Sequence, residues 1–445
     1  MAGRQKNKLV FKSEIELRES VEILVAGGGP AGMAAAVTAA RQGRKVMLIE
    51  EMNCLGGMGT SGMLPVFMPF GDKTNFYSGG FGRELLDRLK AAGGVLPDPA
   101  WGEECPQLRT ETLKRLYDEM AVEEKIKLSL VTKIIAIKKQ GNRNISHVVC
   151  SGKSRLFAVE AKIFIDCTGD GNLAVWAGAP FEKGDKNGNL MPGTLCSLWA
   201  GIDWGKVRKA KQEPEKILLK VLKKYPKIFT KKDPHLPGIL ENGPSLGGGN
   251  VGHLFGVDGT DERTLTPLLL SGRKALTEYE YFYRKFMKGY EKATLVGTAP
   301  LTGIRETRRI TGDYVLNYND YAARADFEDG IGRFNYWIDI HPSKASLDNH
   351  EELLKYRGTH YKDGESYGIP YRILTPLGLE NLLVAGRCVS VDQAVQSSIR
   401  VMPGCFITGQ AAGMAAALAI EKKTGTRGFP VKELQKRLKK MGAFI

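Results

Sequence analysis

The residues of this sequence best suited to handle charge and protons are a few arginines and two histidines. "GIRETRRI" sets Arg305, Arg308 and Arg309 around Glu306, and "SIRVMP" sets Arg400 three residues before Pro403. A guanidinium holds a carboxylate or a developing oxyanion through parallel N–H bonds. In a helix Arg305 and Arg309 share a face; in a strand they also do, with Arg308 on the other. The bland alternative is an ion-pair network with Glu306 and Asp313. His341 closes "WIDIH" and His253 follows "GGNVG". Imidazole gains and loses a proton near neutral pH, although a lone histidine is more often structural. Arg305, His341, Arg400 and His253 are the candidate catalytic residues, and Asp392 is a weaker one.

These groups need a scaffold, and the opening of the chain supplies one. "VEILVAGGGPAGMAAAVTAARQGRKVMLIEE" runs from Val21 to Glu51. Residues 22–26 read as a short buried strand, 31–41 as a small-residue helix, and "KVMLIE" as a second strand. Gly27 permits the tight turn, Gly29 lets a pyrophosphate approach the backbone, and Gly32 allows close helix–strand packing. Pro30 and Ala31 lead into the helix, whose free N–H groups and positive dipole end suit phosphate. Glu50 lies 18 residues beyond Gly32, where an acid accepts from an adenosine ribose, and Glu51 follows it. Strand, glycines, helix, strand and acid fall in register, so a bound dinucleotide is expected, without a 2′-phosphate. A nicotinamide dehydrogenase would continue in regular βαβ repeats; this chain continues "MNCLGGMGTSGMLPVF". Gly56 and Gly57 admit a second close approach beside Met58, while Thr60 and Ser61 offer hydroxyls to phosphate oxygens.

Gly-x-Gly-Pro-Ala-Gly, the acid at 50 and the following "LGG" resemble FAD-binding flavoproteins of the glutathione reductase type, with two dinucleotide-binding folds. Residues 109–124 have helical spacing, and strands broken at Gly141-Asn142 and Gly152-Lys153 lead to "DCTGDG". This is similar to the three-stranded meander of those proteins. The resemblance implies Thr168 and Gly169 against the cofactor, Asp170 near its phosphates or ribityl chain, and the Val131 backbone at adenine. "NLLVAGRCVSVDQAVQSSIRVMPGCFITGQAAG" carries the strongest match. Residues 382–385 read as a strand ending at Gly386 and Arg387. Pro403 reads as the first residue of a helix running from Gly404 to Ile420. The helix N-terminus, with Arg400 just before it, can face the flavin and stabilise negative charge on the reduced ring. With "VDGTDERTLTPLLLSGRKAL", "GIRETRRITGDYVL" and "WIDIHPS", these motifs resemble one bacterial group of FAD-dependent oxidoreductases, distantly similar to fumarate reductase flavoproteins. The resemblance covers most of residues 21–420, implies FAD as the cofactor and leaves the reaction open. Its pattern often has a histidine after "GRC.S", where this chain has Gln393 and Gln396.

The expected fold class is α/β: a Rossmann-like FAD-binding domain with a three-stranded β-meander, plus a mixed α+β substrate or cap domain. The expected division gives 1–72, 105–200 and 372–445 to the first and 73–104 and 201–371 to the second. A chain of 445 residues, 42% hydrophobic and 25% charged, suits two or so globular domains. Seven scattered cysteines without a CxxC pair argue against zinc, against disulfides and against a redox disulfide at Cys54, so no metal is expected. No apolar run approaches the roughly 18 residues of a membrane span. The charged start lacks a secretion signal, so a cytoplasmic location is expected. A net charge of +15 is compatible with an anionic small-molecule substrate, and nothing resembles a nucleic-acid module. The lysine-rich stretch 206–232 reads as an amphipathic cap helix with a solvated face. "GGGNVG" at 247–252 shows no flanking strand and reads as an irregular segment, not a second nucleotide site. Formation of a homo-oligomer is left open. Hydride removal from a substrate needs a base; hydride delivery needs an acid and a cation for oxyanion charge. The expected reaction is hydride transfer between flavin N5 and a small organic molecule, with carbohydrate-derived and carboxylated compounds as candidates. A flavin monooxygenase and a flavin-bearing electron-transfer or binding protein are the alternatives.

Overall fold

The computed structural model describes residues 12–97, 104–235, 237–344 and 360–445. The parts of the expected domain ranges at 1–11, 98–103, 236 and 345–359 lie outside the described residues. The opening stretch forms a βαβ unit of β1 (Glu16–Ala26), α1 (Pro30–Arg41) and β2 (Val46–Ile49). The chain then adds β3 (Lys127–Ser129), β4 (Lys133–Gln140), β5 (Asn144–Ser151) and β6 (Leu156–Asp166). The strand order is β3-β2-β1-β6-β5-β4, with Leu382–Val384 also paired to β6. Strands β1, β2, β3 and β6 run parallel, while β4, β5 and β6 form an antiparallel meander. β6 belongs to both parts, which explains its length. Its last residues pair with the fully buried end of β1, and its first with the exposed start of β1.

Helix α1 is rich in alanine because it lies against another backbone. A Cβ on Gly409 or Gly413 would sit 2.2 Å from the carbonyl oxygens of Ala31 and Ala35 respectively. Both glycines belong to the helix Met402–Lys422, which is buried from Met402 to Ala419. By length and composition alone that helix could cross a membrane, but 94% of its apolar window is buried inside this fold. A helix apolar on all sides is what a core position demands. It starts at Met402, one residue earlier than expected, because Val401 takes the N-cap and Pro403 fits the first turn, where no N–H is needed.

A second core gathers Trp199, Leu218, Tyr279, Phe282 and Tyr283. It includes a four-stranded antiparallel sheet of Thr294–Thr298, Ser197–Ala200, Leu246–Gly249 and Ile239–Gly243. The lysine-rich stretch contributes the helix Pro214–Lys224, which buries Leu218, Val221 and Leu222 and turns its lysines outward. The "GGGNVG" segment departs from the expectation, since its glycines form a strand. A Cβ at Gly247 would lie 2.2 Å from the Ile239 side chain, and one at Gly248 would lie 2.4 Å from Pro65. Glycine is rare in strands because it packs nothing, and here close approach of neighbours requires it. The seven cysteines are buried and unpaired.

Candidate active site

Five segments distant in sequence meet just before the helix Met402–Lys422. They bring Arg305, Arg400, His253 and His341 together with three residues the sequence did not single out: Asp233, His235 and Asp339. His253 Nδ1 lies 3.2 Å from Asp233 Oδ1, and its Nε2 lies 2.9 Å from His341 Nδ1. His341 Nε2 is 3.3 Å from Asp339 Oδ2. Arg400 donates to the Asp339 carbonyl oxygen at 2.9 Å and to its Oδ2 at 3.1 Å. Arg305 donates to Pro192 O at 2.9 Å and Thr194 Oγ1 at 2.7 Å, and its other terminal nitrogen is 3.3 Å from His235 Nε2. The His235 ring stacks on His253 with centroids 3.7 Å apart and planes 16° apart.

Local structure explains why these side chains converge. Asp233 accepts from the backbone N–H of both His235 and His253, at 3.1 and 2.6 Å, which ties two loops together. The short helix Gln393–Ile399 holds the Arg305 and Asp339 segments. Gln396 donates to Arg305 O, and Ser397 Oγ accepts from Asp339 N, both at 2.9 Å. Asp392 caps that helix: one carboxyl oxygen accepts from Val395 N and the other from Tyr318 N. Arg308 and Arg309 fall on the strand Arg308–Ile310. Arg309 pairs with Glu306, as the ion-pair alternative had it, whereas Asp313 pairs with Arg427. Arg308 donates to Asp170 O at 2.7 Å.

Burial sets the electrostatics of the cluster. It pushes the Arg305 guanidinium down to about 10, with Arg400 adding to the effect. It pushes all three imidazoles down, so they are neutral near pH 7. It pushes the Asp339 carboxyl up, against the pull of Arg400 and then Arg305. Arg400 Nε and Gln396 Oε1 are buried with no partner among the described residues. One donor and one acceptor are thus left for a bound group, where an unmade hydrogen bond costs about 1–3 kcal/mol.

Beyond the ends of β1 and β2, Gly29, Glu50, Gly57, Gly169, Arg387 and Arg400 are partly exposed among buried neighbours. Gly27 has φ +93°, and a Cβ there would lie 2.6 Å from Cys167 O. A Cβ on Gly32 would lie 1.8 Å from Gly27 O, whereas one on Gly29 would meet nothing within 4 Å. Pro30 follows as the first residue of α1, with Ala31 and Gly32 buried behind it. Glu50 accepts from Gly28 N and Met52 N, each at 2.7 Å, one on each carboxyl oxygen. Each oxygen keeps a lone pair for a ribose hydroxyl. Gly56 and Gly57 both have positive φ, and Met58 lies against the backbone of Gly303. Val131 takes the left-handed conformation at φ +52° and donates to Met52 O.

The other expected contacts are distributed as follows. Thr168 donates to Asp166 Oδ1 at 2.7 Å, and Asp170 Oδ1 accepts from Arg387 at 2.9 Å and from Thr307 at 2.8 Å. Arg387 lies close over Gly169. Gly386, at φ +82°, donates to Thr408 Oγ1, and Pro403 O accepts from Ser78. Gly404 must lack a side chain because a Cβ would be 2.4 Å from Ile399 O. Two of the expected residues have partners within the chain. Thr60 is fully buried and donates to Leu55 O at 2.5 Å, which braces its own loop. Glu51 is exposed and lies 3.4 Å from Lys133.

FAD fits these residues. The open side of Gly29 at a helix N-terminus admits a pyrophosphate, Glu50 keeps acceptor capacity for ribose, and Arg400 and Gln396 each keep an unpartnered buried polar atom. Because burial pushes the Glu50 carboxyl up, FAD affinity is expected to weaken as pH falls through that raised value. Glu50→Gln is expected to bind FAD about 10- to 100-fold more weakly and to lose this pH dependence. Equilibrium dialysis against FAD across the acidic range checks both.

Among solved structures, a geranylgeranyl bacteriochlorophyll reductase-like protein from Thermoplasma acidophilum aligns with 96% of this chain and 84% of its own, at 14% identity and a TM-score of 0.48. Flavin-dependent brominase Bmp2 aligns over 95% and 83%, at 11% identity and a TM-score of 0.45. p-Nitrophenol 4-monooxygenase from Pseudomonas putida aligns over 94% and 78%, at 12% identity and a TM-score of 0.44. No curated protein matches the sequence significantly. The family model described as FAD dependent oxidoreductase matches residues 22–438, nearly the whole chain. FAD is therefore the cofactor, and the chain belongs to the FAD-dependent oxidoreductase family.

Proposed function

We propose that the enzyme moves a hydride between a small organic substrate and N5 of FAD, with the Arg–His–Asp cluster at the substrate end. The observation that carries this reading is the convergence of Arg305, Arg400, His253 and His341 just before the helix Met402–Lys422. FAD, when bound, supplies the acceptor or donor of the electron pair. The chain's own residues bind, orient and handle a proton. Arg305 and Arg400 orient a carboxylated or carbohydrate-derived molecule, and the pair His341–Asp339 takes or returns its hydroxyl proton. His253 acts through His341. The order β3-β2-β1-β6-β5-β4 supports a flavoprotein of the glutathione reductase type. In this reading residues 1–72, 105–200 and 372–445 hold FAD, and 73–104 and 201–371 close over the substrate. Seven unpaired cysteines support a reducing, cytoplasmic setting.

The test is anaerobic mixing of the FAD-loaded enzyme with 2-hydroxy acids, aldoses and sugar acids, following flavin absorbance. Bleaching by one of these classes is expected. A flavin that dithionite reduces but none of these compounds touches would overturn the reading. Oxygen insertion driven by NAD(P)H would favour a monooxygenase instead.

A further inference from the structure

Asp339, His341, His253 and Asp233 stand in an unbroken file, with contacts of 3.3, 2.9 and 3.2 Å. Both ring nitrogens of each of the two imidazoles are engaged by a neighbour in the file. Two facing imidazole nitrogens need one proton between them, and each carboxyl–imidazole contact also needs one. Three contacts therefore hold three protons, one more than two neutral rings carry. The surplus proton can sit on either terminal carboxyl group.

The two ends have different surroundings. Asp339 has a side chain 28% exposed and pairs with Arg400, just before the helix Met402–Lys422. Asp233 is 9% exposed and borders a separate cavity of about 30 Å³, which Lys231, His253, Glu278 and Tyr279 also line. That volume holds about one water molecule. We propose that Asp339–His341–His253–Asp233 is a proton wire joining the substrate face to water at the Asp233 cavity. The inference rests on the hydride-transfer reading of the site.

The transfer balances. As a substrate gives up its hydride, Asp339 takes the hydroxyl proton on one oxygen and passes its own proton to His341 Nε2. His341 Nδ1 passes a proton to His253 Nε2, and His253 Nδ1 passes one to Asp233. Asp233 releases one to water, so one proton enters and one leaves. Both rings end as the opposite tautomer. The half-reaction that returns electrons to an acceptor needs a proton, and its passage back along the file resets them.

The charged groups around the file favour passage over storage. His235 stacks on His253 and faces Arg305, while Arg400 holds Asp339. Both cations oppose a lasting positive charge on the rings. Lys231, Glu278 and the Tyr279 hydroxyl, which reaches Asp233 O at 3.4 Å, complete the outer end. Nitrogens of His235, His253 and His341 also lie within 4.8 Å of one another, close enough to suggest a metal ion. Stacking, however, aims the lone pairs of His235 and His253 side by side instead of at one point, and Arg305 already faces His235 Nε2. A divalent cation there would also stand beside Arg305 and Arg400, whose charges oppose it.

Two measurements test the wire. The first uses the FAD-loaded enzyme, a bleaching substrate, weak buffer and an indicator dye in stopped flow. Wild type should release its proton in step with bleaching. In Asp233→Asn and His253→Gln, proton release should lag bleaching by about tenfold or more, and added imidazole or formate should shorten the lag. Release that stays in step in both variants would overturn the wire. The second uses no substrate: nitrogen NMR of protein labelled at histidine. Asp339→Asn should change the tautomer signals of His253 together with those of His341. Rings that respond independently would also overturn the wire. Failure of every substrate to bleach the flavin would instead count against the hydride reading alone. Loss of the coupled ring signals on removing adventitious metal with a chelator would replace the wire by a metal site.

Discussion

Replacing Arg305 by methionine is expected to slow substrate-driven bleaching of the flavin by about 10²–10³-fold. Methionine fills much the same volume and removes only the charge and its donors. Arg305 is buried, and among the described residues no carboxylate is in ion-pair contact with it; its donors go to Pro192 O, Thr194 Oγ1 and the His235 ring. A buried cation in a low-dielectric site acts strongly on any negative charge that develops beside it. Leaving Pro192 O and Thr194 Oγ1 unmatched costs about 1–3 kcal/mol of stability, so thermal unfolding separates that loss from the kinetic one. Arg305→Lys keeps the charge without the two-sided grip and should recover part of the rate. The pH profile carries a second signature. Burial, followed by Arg305 itself among other neighbours, holds the histidines below their usual range. Removing the charge raises them, so the rings protonate at higher pH and the acid limb of the rate profile moves upward. An unchanged rate and profile would place the substrate elsewhere.

How much of this was legible in the sequence depends on how local each signal is. The FAD half is written in short-range terms: glycines that a turn or a close contact requires, a helix that must start at once, an acid one strand later. Such a pattern can be read without knowing any long-range contact. The cluster is different. Arg305, Arg400, His253 and His341 could be suspected by residue type, but nothing local says that residues 253 and 341 face each other. Asp233 and His235 lie in "DPHLPG", where the prolines mask any periodicity. Asp339 carried a usable signal, since it stands two residues before His341 in "WIDIH". A hydroxyl in a glycine-rich loop serves a phosphate or the loop's own carbonyl equally well, and only packing, which the local sequence does not display, directs Thr60 to Leu55 O. The strand at Leu246–Gly249 was missed for a related reason: its glycines answer to Pro65 and Ile239, which the local sequence does not display.

Gly32→Ala and Gly29→Ala, three residues apart, are expected to fail in opposite ways. At Gly32 a Cβ would sit 1.8 Å from Gly27 O and 3.4 Å from the Cys167 Cβ. Relief requires α1 to move off the sheet, yet its other side is already closed by Gly409 and Gly413 against the carbonyls of Ala31 and Ala35. With both directions blocked, the loss should exceed about 4 kcal/mol, in the range reserved for a broken core. Gly29 has φ −69° and ψ −172°, a conformation alanine adopts freely, and its Cβ would touch no protein atom. Gly29→Ala should therefore leave the apo-protein as stable as before, or about 0.4–1 kcal/mol more so. The added methyl would stand where the pyrophosphate must approach the first turn of α1, and FAD binding should be lost. Thermal unfolding of the apo-proteins and dialysis against FAD measure the two effects separately. If Gly29→Ala bound FAD normally, the phosphates would have to pass elsewhere, and Gly29, Glu50 and Gly57 would lose their assignment. If Gly32→Ala folded with wild-type stability, the contact between α1 and Met402–Lys422 would have to be loose enough to yield, contrary to the 2.2 Å approaches on its far side.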